Sequence, residues 1–130
     1  MYQGGNVLKL EVDRDSVHAG DDISPHAVLI SVDENMSIEA LLIKASKKCT
    51  LPKIAGGKAT WFAHSDTEPK QYLGVLAQQW KSPKVLSSAT VGSIFTTQSA
   101  KLIFRYWCQS DPNQVFDALA NNKELPGRFS

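Results

Sequence analysis

Four aspartates crowd one short stretch of this chain, Asp13, Asp15, Asp21 and Asp22. Carboxylates at that density could hold a calcium or magnesium ion. A calcium loop of the EF-hand type needs oxygen ligands at positions 1, 3 and 5, glycine at 6 and glutamate at 12. Counted from Asp13, the fifth residue is Val17, the sixth His18 and the twelfth Ser24. The spacing fails, and a solvated acidic loop remains. The histidines, His18, His26 and His64, could ligate a metal or carry a proton. None has a partner one helical turn away, and His26 and His64 fall at strand edges.

Cys49 and Cys108 could pair, bind zinc or act as nucleophiles. No further ligand flanks either at zinc-site spacing, and nothing points to an oxidising compartment. Two small reduced core residues are expected. A Cys108–His64 pair would be a nucleophile with its base only if tertiary contact joined them. Gly56-Gly57-Lys58 invites a phosphate-loop reading, but that motif is GxxxxGK[ST] between strand and helix. Here Ala59 follows the lysine and the next residues read as strand, so a hairpin turn is expected. The sequence therefore predicts no catalytic residue, no metal site and no cofactor.

Two groups remain that could bind without doing chemistry. Lys44, Lys47, Lys48, Lys53 and Lys58 form a local basic stretch. It is either a solvated helix face or a docking patch for an acidic protein, with RNA a weaker alternative. It lacks the interleaved aromatics that stacking on bases would need. Trp61, Phe62, Trp80, Phe104, Tyr106 and Trp107 gather on strand-like segments. Alternation sends adjacent strand residues to opposite faces. Trp61 and Phe62 cannot share one face, nor can Tyr106 and Trp107. Either a C-terminal helix and a loop cover the second face, or one of each pair points outward and suits an interface. On the second arrangement, Trp61 and Trp107 are the expected protein-binding anchors, with Lys44, Lys47 and Lys48 tuning association.

The elements that must position these residues are legible in order. VLKLEVD (7–13) alternates Leu8, Leu10 and Val12 with polar residues, the mark of a half-buried strand. A polar loop with Gly20 and Pro25 leads to HAVLISV (26–32), where Val28, Ile30 and Val32 share a face. Leu29 on the other face predicts a central position for this strand. SIEALLIKASKKC (37–49) places Ile38, Leu41, Leu42, Ala45 and Cys49 on one helical stripe behind a Ser37 cap. KATWFAHS (58–65) and YLGVLAQQW (72–80) read as a second hairpin, and KLIFRYWC (101–108) as a strong last strand. Residues 81–100 predict a covering loop with one helical turn. Asp111, Pro112 and Gln114 open a short terminal helix carrying Val115, Phe116 and Leu119. Residues 121–130 read as a tail.

Hairpin, helix, further strands and a last strong strand: this order resembles the β-grasp fold of the ubiquitin-like superfamily. The resemblance covers about residues 6–108 and implies an α+β fold. It has a mixed sheet of about five strands on one main helix, with KLIFRYWC inserted beside VLKLEVD. A single domain over 1–130 is expected, with its core at about 6–120. The chain ends in LPGRFS where a conjugated modifier would end in Gly-Gly. A ferredoxin relative would need four cysteines. No functional residue carries over from the resemblance.

Bulk properties narrow the rest. With 14 Lys and Arg against 13 Asp and Glu, the net charge of +1 offers no global field for nucleic acid. Apolar runs of about five residues are far short of the ~20 that cross a bilayer, so no membrane association is expected. The opening MYQGGNVLKLEV has no basic leader or apolar h-region, which predicts a cytoplasmic protein. The expected function is a small soluble non-catalytic protein–protein interaction module, of which a toxin-neutralising immunity protein is one subclass. The competing class is a small enzyme or ligand-binding domain whose site assembles only in the tertiary structure.

Overall fold

Ser37 starts the main helix as its side chain predicts. Its Oγ accepts from the Ala40 backbone N–H at 3.1 Å, and α1 (Ile38–Lys48) follows. The stripe Ile38, Leu41, Leu42 and Ala45 is fully buried, at 0–1% exposure. Glu39 stands in the first turn and Lys47 and Lys48 in the last, matching the helix dipole. These details come from a computed structural model that describes residues 7–15, 26–49, 51, 57–67, 69–96, 100–108 and 110–127. Asp21, Asp22, His18, Lys53 and Gly56 lie outside the described residues.

Before α1 come β1 (Val7–Arg14) and β2 (Val28–Asp33); after it come β3 (Thr60–Ser65), β4 (Tyr72–Ala77), β5 (Lys84–Val85), α2 (Val91–Ile94), β6 (Lys101–Tyr106) and α3 (Pro112–Ala120). The strands form one mixed sheet in the order β2-β1-β6-β3-β4-β5. The first two pair antiparallel as a hairpin, and β3, β4 and β5 form an antiparallel set. Between them β6 runs parallel to β1 and antiparallel to β3. The protein is an α+β domain, and this order is consistent with a β-grasp-like topology.

The sheet carries apolar side chains on both faces. On one, α1 and α2 pack over Leu10, Val12, Ile30, Trp61, Leu73, Leu102, Phe104 and Tyr106. On the other, Phe62, Val75 and Val115 form a second cluster, joined by Trp80, Trp107, Phe116, Leu119 and Leu125. Alternation therefore resolves as two layers of cover. Trp61 and Tyr106 pack together on the α1 face, their rings tilted by 45° with centroids 4.9 Å apart. Phe62 and Trp107 meet edge-on at 5.2 Å on the α3 face. Asp111 caps α3 by accepting from the Asn113 N–H at 2.9 Å, and Pro112 fills the first turn. The chain after α3 also docks. Trp107 Nε1 donates to the Pro126 carbonyl at 2.9 Å, and Ser110 Oγ donates to that of Gly127 at 3.0 Å.

The fold class stands as expected with one strand added, and two finer expectations need correction. The sheet has six strands; β5, only two residues long, is too short to show alternation. It fits beside β4 at Gly74, where a Cβ would meet Leu42 Cδ1 at 2.7 Å and the Lys84 carbonyl oxygen at 2.8 Å. The segment read as a covering loop does hold one helical turn, but Val91, Ile94 and Phe95 pack on the α1 face. It is α3 that covers the other. Finally, β2 is an edge strand, and Leu29 is 66% exposed. A second apolar face does not make β2 central, because no described strand flanks its outer side and Leu29 meets solvent. In fact Lys44 of α1 reaches this edge strand, its Nζ donating to the Ser31 carbonyl at 2.5 Å.

Leu41 sits at the centre of the α1 stripe with no exposed surface. Leu41→Ala is expected to destabilise the fold by about 2–5 kcal/mol, read by chemical denaturation. A change within about 0.5 kcal/mol, the scale of a surface substitution, would show that the helix is not central.

Candidate functional site

The residues that might have done chemistry are mostly committed to structure. Asp15 Oδ2 accepts from Arg105 Nε and from the Tyr106 backbone N–H, both at 3.0 Å. Asp13 Oδ1 accepts from the Arg14 N–H at 2.8 Å. Among the described residues, no group of three His, Cys, Asp or Glu could hold a metal ion. Gly57 has φ +69, a left-handed turn conformation that glycine adopts without strain.

Both cysteines are free. Cys49 is buried at the end of α1, where its Sγ donates to the His26 carbonyl at 3.4 Å. Burial pushes its thiol up to about 11, against the opposing pull of the Arg14 guanidinium. A thiol held so firmly protonated is a poor nucleophile. Cys108 is half-buried just beyond β6.

His64 is a closely confined titratable group. It is 5% exposed on β3, against Phe62 and Tyr72 at centroid distances of 6.4 and 6.1 Å. Nδ1 lies 2.9 Å from the Ser65 carbonyl oxygen, so Nδ1 carries the proton and donates it there. Nε2 is left buried without a hydrogen-bond partner among the described residues. Burial holds the imidazole below its ordinary range; Lys70 and Arg105 add to that, and Asp66 and the Ser65 bond oppose it.

One concavity that gathers aromatic and basic side chains lies between the C-terminal half of α1 and the far end of the β3–β4 hairpin. It is a cleft of about 310 Å³. Trp61 and Trp80 give it indole surface, Ile43 and Leu76 add aliphatic walls, and Lys47 and Lys81 carry ammonium groups to it. No Asp, Glu, His or Cys is among its described lining residues. Trp80 is held over the face of its ring, on the side turned to the α3 cluster. Lys84 Nζ stands 4.8 Å from its ring centroid, and the same ammonium donates to Asn113 Oδ1 at 2.9 Å. The floor is held too, because Trp61 rests on Tyr106 of β6.

Of the residues expected to bind, the structure brings Trp61 and Lys47 together in this cleft. Trp61 is 3% exposed, so it is a floor under the site and does not project from the sheet as expected. Burial under α1 is the reason. Trp107 is on the opposite face, half-buried against Phe62, with its indole N–H spent on Pro126. Lys44 is turned to the β2 edge, and neither it nor Lys48 lines the cleft. Of the three lysines, Lys47 is the one among the cleft's described lining residues. Trp80 and Lys81 were missed as site residues. The signal for them was an indole at a strand end followed by the cation-rich turn KSPK.

No family model, no curated protein and no solved structure matches this chain. Among the described residues, no helix is long and apolar enough to cross a membrane. What stands is a small domain in which the described residues assemble no clear catalytic or metal-binding centre.

Two outcomes follow for the buried titratable groups. Below the unfolded-state value of 6.5, the unfolded chain takes up a proton that His64 resists in the fold. The stability present above that pH is therefore lost as pH falls towards the lowered folded value. His64→Leu should flatten the wild-type fall in unfolding free energy between about pH 7.5 and 5; an unchanged slope would show that His64 is not the group responsible. In the folded protein at about pH 8, iodoacetamide should label Cys108 well before Cys49, with denaturant exposing both. Equal rates by mass spectrometry would contradict the burial of Cys49.

Proposed function

We propose that this domain is a non-catalytic protein-binding module that receives its partner in the cleft between α1 and the β3–β4 hairpin. The observation that supports this is the pairing of indole surface with exposed cations in one concavity. Tryptophan gives large, rigid apolar area at low entropic cost, and indoles in pockets are enriched among residues that dominate interface energies. Lys47 and Lys81 are exposed. A catalytic lysine is activated by desolvation, so these two suit electrostatic attraction better than covalent chemistry. The absence of a carboxylate, imidazole or thiol from the described lining leaves no general base beside them. The β-grasp-like strand order supports placing the domain with ubiquitin-like folds as part of the same proposal, though it assigns no site residue.

A photo-crosslinking amino acid at position 43 or 81 should give protein adducts in native lysate, while the same group at exposed position 29 should not. Trp80→Ala should weaken that capture by roughly 30-fold, the scale of an interface hot spot. Lys81→Ala should mainly slow association at low salt. Adducts forming equally from all three positions would sink the cleft as the binding surface. A small-molecule mass on the native protein, displaced by Trp80→Ala, would favour a ligand-binding domain instead.

A further inference from the structure

Resting on the reading above, we infer that the cleft takes an acidic polypeptide segment that inserts one aromatic or large aliphatic side chain against Trp80 while its carboxylates meet Lys47 and Lys81. Size is the first argument. At about 310 Å³, the cleft stands at the bottom of the roughly 300–1,000 Å³ range of small-molecule sites. It can admit one large side chain, whereas an extended cofactor would need a larger site. Charge is the second. The ionisable groups among its described lining residues are two lysines, while the chain as a whole is nearly neutral at +1. Two cations on the cleft's described rim, with no carboxylate beside them in that lining, favour an occupant with a few carboxylates over a long polyanion. Phosphate-backbone binding draws on many cations spread along a track, and the described lining of this cleft offers two.

Preorganisation is the third argument. Trp80 is set by the ammonium of Lys84, which is itself tied to Asn113 of α3. Trp61 is fixed by Tyr106 at 4.9 Å. Neither indole must be ordered when a partner arrives, which removes part of the usual cost of association. The lysines lie on separate elements, Lys47 on α1 and Lys81 beyond β4. Both contribute to the one cleft, so a segment with carboxylates on either side of its apolar residue can meet one lysine with each flank.

Selection from a random peptide display library on the immobilised full-length chain tests this. The expected consensus is one aromatic or large aliphatic residue flanked by Asp or Glu. Affinity should fall at least about tenfold in Trp80→Ala. It should fall comparably in the Lys47→Glu/Lys81→Glu double variant, whose changes sit on exposed positions and leave the core intact. That variant should itself select Lys or Arg flanks. Neutral or basic flanks from the wild-type chain, or affinity within about twofold in the double variant, would overturn the acidic occupant while leaving the cleft in use. Peptides indifferent to Trp80→Ala, or no enrichment at all, would overturn the cleft reading with it. Tighter binding of single-stranded RNA than of any selected peptide, lost in the double variant, would overturn the inference in favour of a nucleic-acid occupant.

Discussion

The sheet exists as one object because β6 is inserted between two hairpin systems that do not otherwise pair. Its parallel ladder to β1 runs from Glu11↔Lys101 to Arg14↔Phe104, and its antiparallel ladder to β3 runs from Trp61↔Tyr106 to Ser65↔Leu102. Remove it, and β1 and β3 each lose the partner for a row of buried backbone groups, which burial makes costly. The insertion is fastened beyond the ladder's end. The Asp15 N–H donates to the Phe104 carbonyl at 3.0 Å while its carboxylate takes Tyr106 N–H and Arg105. On the other flank, Thr60 and Trp107 extend the pairing, with the Trp107 N–H donating to the Thr60 carbonyl at 2.8 Å. The cleft inherits this dependence, since its indole floor leans on a tyrosine of β6. A strand late in sequence and central in space also implies a high contact order, and so slow assembly relative to a helical domain of similar size.

Most of the architecture could be read from residue patterns, because the determining signals are local. Ser37, the Ile38–Cys49 stripe, the Asp111–Pro112 start and the alternation of Leu10, Val12, Leu102 and Phe104 each act within a few positions. What escaped was set by contacts between distant segments. The edge position of β2 depends on which strand flanks β1, and Leu29 reads the same whether it faces a neighbour or water. Strand β5 depends on the bare backbone of Gly74 and the approach of Leu42, neither of which marks residues 84–85 themselves.

The candidate site was legible only in fragments for the same reason. Trp61 and Lys47 drew notice by type, yet their meeting depends on how α1 crosses the β3–β4 hairpin. Trp61 and Trp107 looked equivalent, each adjoining another aromatic on a strand. The structure separates them onto opposite faces, one beneath α1 and one beneath the chain that follows α3. The basic run around α1 lacked aromatics in sequence, and Trp80, thirty-three positions beyond Lys47, supplies one in space.

The contact of Lys44 with the Ser31 carbonyl bears on how this chain behaves in a crowd of its own copies. VLISV is the sort of apolar, β-branched segment that stacks into fibrils when its backbone is left to template another strand. Here an ammonium sits on the edge strand and must be stripped of its hydrogen bond, or buried with its charge, before a second chain can add. The helix that organises the core from one face thereby also sets a charge on the sheet's rim, a device that disfavours edge-to-edge strand pairing.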